Sequence, residues 1–255
     1  YKSGGLYYSI GLDSFESIQK KEKIHALRDF FVFGVLLIMA LYHFGLYLQR
    51  REDVGSLYFG LFTLFLFLRL VGGNNYLMIF FEKPSLFSFE LERKIEFISV
   101  FMAPAFFYGF SKSLFPNFFH SRGLKIGMIG GGLFTLIGLL APVKFYSNPL
   151  VIQSYQALTG IYLIYMTSKC IQAAIINAGH SRIFLLGTLL LVSGFIHDVL
   201  VNEKFLEPPY IISYVLCFFV LIQSYLLSLK FSEAYNTSQR LIRPLRRTKV
   251  LFSKS

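Results

Sequence analysis

Tryptophan is missing from this sequence altogether, and charge is scarce: only 15% of the 255 residues are Asp, Glu, Lys or Arg. A soluble domain carries about 25% charged residues. With 55% hydrophobic residues and a mean hydropathy of +0.56, the chain reads as an integral membrane protein. There are two cysteines, Cys170 and Cys217, both within or at the edge of apolar stretches. That excludes a disulfide framework and leaves them as small packed side chains. Three chemical signatures are also absent: HExxH, a CxxC pair and a phosphate-cradling glycine loop. No cofactor and no nucleic-acid partner is expected. What is abundant is aromatic: 30 Phe and 16 Tyr, and the tyrosines can supply the interfacial belts that tryptophan usually shares.

The apolar residues fall into long runs. Asp29 to Leu70 holds two of them around the charged turn Arg50–Asp53, with no polar stripe in either. Each is roughly 20 residues, enough to cross a hydrocarbon core about 30 Å thick. Seven such spans are predicted, at 29–48, 54–72, 95–114, 124–143, 150–170, 182–201 and 209–229. The expected fold class is all-α, a polytopic bundle of seven transmembrane helices. Residues 1–26 read as the tail of an upstream extracytoplasmic domain and a linker, 27–230 as the membrane domain, and 231–255 as a cytoplasmic helix start with a basic tail. GLYYSIGL near the start has strand composition, and SFESIQKKEKIHAL reads as a polar helix or linker. The chain begins at Tyr1 with no signal-peptide pattern before Leu27, so further sequence upstream is expected.

Two features inside the spans bear on packing. Gly127 and Gly131, four apart in the fourth span beside Gly130 and Gly132, form a small-xxx-small face suited to close helix contact. Pro104 inside the third span is expected to kink it.

Lys and Arg set a direction. With the N-terminus outside, the inside segments hold Arg50 and Arg51, Lys112, Arg122 and Lys125, Lys169 and Arg182, and the basic tail from Lys230 onward. These outnumber the basic residues outside, so the N-terminus is expected outside and the C-terminus in the cytoplasm. The last span runs on into Leu227, Phe231, Ala234, Ser238, Leu241 and Leu245, spaced as the seam of a short coiled coil. Chance periodicity at a frayed helix end is the plainer account of the same spacing. Pro244 is expected to interrupt this helix, and the basic residues beyond it suit an anionic lipid surface.

Charges inside spans are costly and often functional. Arg69, Glu96, His197 and Asp198 are expected at similar depth in the outer leaflet, and Arg69 to pair with Asp198 or Glu96. The alternative is that each snorkels separately to the headgroups. His43, by contrast, falls in the inner half of the first span. Two histidines in opposite leaflets argue against a shared haem or metal. Ser193 and His197 lie four apart on one helix, but no G-x-S-x-G surrounds the serine, and no catalytic residue is assigned. A retinal Schiff base would need a lysine within 209–229, which has none. A transporter would be expected to show matched broken helices, and none is visible.

The residues point to one family. GVLLIMALYHFGLYLQRREDVGSLYFGLFTLFLFLRL resembles the opening of the bacterial seven-transmembrane receptors with diverse intracellular signalling modules. The resemblance rests on Tyr42-His43, the Arg51/Asp53 turn, Leu57-Tyr58-Phe59 and Arg69. GFIHDVL resembles that family's acidic position in the sixth span, with His197 where Asn is commoner. QSYLLSLKFSEAY, from Gln223 through Phe231, resembles its exit from the seventh span. Coverage is about residues 27–241. The resemblance implies an upstream ligand-binding domain, an unknown small ligand, a cytoplasmic effector in cis, a possible homodimer and a bacterial inner membrane. The chain departs from the pattern after Pro244, where a short basic tail stands in place of an output domain, so no enzymatic activity is assigned to it. The expected function is a sensor module handing a ligand signal through the seventh helix. The alternative is a small-solute transporter or channel.

Overall fold

In a computed structural model, residues 15–73, 76, 86–142, 145, 148–207 and 209–252 are described. Seven α-helices account for them: α1 (Phe15–Gln49), α2 (Val54–Gly73), α3 (Leu86–Leu114), α4 (Ser121–Leu140), α5 (Pro149–Ile175), α6 (Ser181–Asn202) and α7 (Ile212–Phe252). No strand occurs among the described residues. GLYYSIGL lies outside them, as do the side chains of Ala234, Ser238, Leu241 and Leu245 in the proposed seam.

Local chemistry sets the breaks. Asp53 ends the first turn: its carboxylate accepts from the Ser56 hydroxyl at 2.6 Å and the Ser56 backbone N–H at 3.4 Å, capping α2. Asn148 caps α5 by accepting from the Leu150 N–H at 2.9 Å, with Pro149 at the first helical position. Asn177 and Gly179, both with positive φ, turn the chain between α5 and α6.

Six helices are long and apolar enough to cross a membrane, over Lys23–Gln49, Val54–Gly73, Phe89–Leu114, Ser121–Leu140, Ser181–Asn202 and Ile212–Thr237. The remaining helix, α5, is 27 residues long but carries Gln153, Gln156, Thr159, Thr167, Ser168 and Gln172, which lower its apolarity. Three boundaries differ from the sequence reading. The polar SFESIQKKEKIHAL segment and the first span form one continuous helix. α3 starts nine residues before the predicted 95, carrying Glu92, Arg93 and Glu96 on helical backbone. α7 continues through Pro244 to Phe252, where an interruption was expected. A proline removes one backbone donor; the Leu and Arg residues on both sides of it are strong helix formers, and the helix carries on across the gap.

Neighbouring helices pack in chain order from α1 to α4, α3 also meets α5, and α5, α6 and α7 follow until α7 closes back on α1. The centre is aromatic. Phe59 and Phe62 of α2, Phe107 and Phe110 of α3, Phe184 of α6 and Phe219 of α7 are all buried. Phe59 meets Phe110 at 4.6 Å between centroids, Phe62 meets Phe107 at 5.2 Å, and Phe107 meets Phe219 at 5.4 Å. Lipid tails are as apolar as these rings, so the gain comes from close packing and ring geometry, about 0.5–1.5 kcal/mol per pair. Pro104 is accommodated inside α3. The carbonyl it leaves unbonded, that of Val100, accepts the Tyr155 hydroxyl of α5 at 2.5 Å.

Candidate functional site: two polar ends of one bundle

At the end where α1 enters, buried and half-buried charges form three groups. The first joins α2 to α3. Arg69 Nη1 lies 3.7 Å from Glu96 Oε1, while Arg93 Nη1 reaches Glu96 Oε2 at 2.5 Å. Arg93 also donates to the Gly72 carbonyl at 2.6 Å, a carbonyl in the last turn of α2, where helix carbonyls need partners. Gly72 permits the approach: a Cβ there would lie 3.1 Å from Glu92 O and Glu96 N. Glu92 is fully buried beside Arg93.

The second group joins α6 to α7. His197 Nδ1 stands 3.1 Å from Asp198 Oδ1. Asp198 accepts the Ile211 N–H at 2.9 Å and the Ile212 N–H at 3.3 Å, so it caps the start of α7. Its negative charge sits where the helix dipole is positive.

The third group joins α1 to α7. Asp29 is 6% exposed and paired with Arg28 at 2.7 Å, and the Tyr76 hydroxyl donates to it at 3.1 Å. Arg28 also donates to the Tyr214 hydroxyl at 3.2 Å. Burial, and then the Asp29 carboxylate, push the Tyr76 phenol above its ordinary pKa, so it stays a donor through neutral pH.

The four residues singled out in the sequence therefore separate. Arg69 and Glu96 come together; His197 and Asp198 form their own group, and Asp198 turns to backbone N–H groups. Arg28, Asp29, Glu92 and Arg93 were missed. Asp29 reads as the boundary of a span, and Glu92 and Arg93 lie ahead of the predicted start of the third. The alternating charges of FELERKIE in helical register were the signal that could have found them.

Deeper in the bundle, His43 is fully buried with its ring edge-on to Phe59 at 4.6 Å. Neither of its ring nitrogens has a hydrogen-bond partner among the described residues, and the same holds for the side-chain amide of buried Gln223. Tyr42 faces outward. Arg51 is exposed beside the cap Asp53, and Phe231 packs against the core.

No group of three or more His, Cys, Asp or Glu suited to a metal occurs among the described residues. Pairs of charge that tie helix ends together suit relative movement of helices. A family described as 7TM diverse intracellular signalling matches residues 25–233. No curated protein and no solved structure matches.

Proposed function

The chain belongs to the 7TM diverse intracellular signalling family, a multi-pass membrane domain, and on that premise we propose that this module is a sensor and how it carries a signal. All seven helices cross a bacterial inner membrane, with the N-terminus outside and the C-terminus in the cytoplasm. A small ligand, held by a domain upstream of α1, biases two arrangements of the bundle to different extents. α7 hands the difference to an effector in cis, and two copies working as a homodimer suit the seam spacing beyond the bundle. The observation that carries this reading is the length of α7. Its 41 residues run unbroken from the aromatic core to Phe252, about 61 Å at 1.5 Å per residue, twice the thickness of a hydrocarbon core. No helix of a simple anchor needs that reach.

A cyclase reporter fused after the last residue, with the natural upstream segment in place, tests the proposal. Challenge with a panel of sugars and carboxylic acids is expected to change reporter output in a dose-dependent way. Solute uptake into vesicles with an output indifferent to every compound would make the protein a transporter instead.

A further inference from the structure

The last contacts of α7 with the rest of the bundle among the described residues fall within one turn. Lys230 Nζ donates to the Leu114 carbonyl at 2.9 Å, and its ammonium lies 5.2 Å from the centre of the Phe115 ring. Phe231 packs against the core. Glu233 Oε1 stands 3.1 Å from Nε2 of His180, in the turn before α6. Beyond Glu233, Tyr235, Asn236, Thr237, Gln239 and Arg240 are exposed.

Leu114 is the last residue of α3. Its carbonyl is one of those that a helix C-terminus leaves unbonded, at the negative end of the helix dipole. An ammonium on a long apolar stem suits that position: the stem crosses the bundle surface and three donors meet the carbonyl and the ring face. The Glu233–His180 pair is more exposed and correspondingly weaker. Beside the two contacts a notch of about 220 Å³ opens between residues 115–118, Ala178–Gly179 and Lys230. It leaves room for the helix to swing.

We infer that Lys230 is the positioning residue of the output helix: by clasping the C-terminus of α3 it fixes the point and the direction at which α7 leaves the bundle. The consequence for signalling rests on the sensor reading above; the clasp itself does not. Phe252 lies 19 residues beyond Glu233, about 29 Å of helix, so a tilt of about 10° at the clasp moves the far end about 5 Å. A neutral carbonyl acceptor makes the contact releasable, since letting go strands no carboxylate in the bundle.

Spin labels at Arg122→Cys and Gln239→Cys, in a Cys170→Ala, Cys217→Ala background of the full chain in lipid nanodiscs, measure that direction. The parent is expected to give one narrow distance. Lys230→Met is expected to shift or broaden it by about 2 Å, the movement that a 10° tilt gives over the nine residues from Lys230 to Gln239. Lys230→Arg, which still reaches the carbonyl, is expected to restore it. A distance unchanged in Lys230→Met overturns the inference. If that variant does not fold, Glu233→Lys decides: this exposed change sets like charge against Lys230, is expected to broaden the distance, and an unchanged distance again overturns the inference. These distances need neither ligand nor effector, so a failed sensor reading leaves them intact, and a failed clasp shows in them even where a fused reporter responds.

Discussion

At the scale of single residues, the contacts that decide packing are those with no freedom to adjust. Gly131 shows this. A Cβ there would sit 2.6 Å from the carbonyl oxygen of Phe101, a backbone atom of α3 that has nowhere to go. At Gly127 a Cβ would meet the Tyr162 hydroxyl, while at Gly130 nothing lies within 4 Å. Gly131→Ala is therefore expected to force α4 off α3 and lose about 1–3 kcal/mol. Gly130→Ala is expected to be neutral or to gain up to about 1 kcal/mol of helix propensity. Reversible unfolding in mixed micelles separates the two, and equal effects would mean that α4 does not seat on this stripe. The stripe was legible in the sequence because spacing alone selects one face of a helix. The partners were not legible: nothing local says that Gly131 meets a carbonyl thirty residues earlier, or that the Tyr155 hydroxyl takes the Val100 carbonyl freed by Pro104.

Elements are fixed at their ends, and there the charges were legible while their roles were not. The position of Asp198 near the end of a span could be read from hydropathy. Its partners are the N–H groups of Ile211 and Ile212, and which backbone groups point at a carboxylate depends on where the next helix begins. The third span is predicted from 95, and Glu92, Arg93 and Lys94 stand ahead of that start. α3 in fact begins at Leu86, since Arg93 meets Glu96 and the Gly72 carbonyl, and paired charges tolerate a half-buried position. The two roles open to Asp198 give different outcomes. As a helix cap it needs an acceptor oxygen, so Asp198→Asn is expected to keep most of the stability and Asp198→Ala to lose about 0.5–2 kcal/mol. As a counter-ion to Arg69, Asn and Ala would be equally harmful. Hydrogen exchange at the Ile211 and Ile212 amides, faster in the Ala variant alone, identifies the cap.

For the whole molecule, the class and the order of helices followed from apolar runs, because a helix in lipid satisfies its own backbone and needs only length and apolarity to be seen. The closing of α7 on α1 did not follow, since it rests on contacts such as Arg28 with Tyr214 and Ser224 with Met39, some 185 residues apart. One count decides the direction of the whole: whether α5 crosses. Average hydropathy sets α5 below the other six, but averages ignore where polar atoms go. Ser154, Thr167 and Ser168 donate to the carbonyls of Leu150, Leu163 and Tyr165 in their own helix. Tyr155 and Tyr162 donate to Val100 and Gly123 of its neighbours. The side chains left facing outward include Leu158, Ile161, Ile164 and Ile171, which suit lipid. With α5 crossing, the number of passages is odd and the two ends of the chain lie on opposite sides. A membrane-impermeant maleimide is then expected to label Lys20→Cys in intact spheroplasts and Gln239→Cys only after permeabilisation, in a background freed of Cys170 and Cys217. Labelling of both from one side would leave α5 outside the hydrocarbon core and return six passages. Labelling of Gln239→Cys alone would keep seven and invert the direction that the basic tail implies.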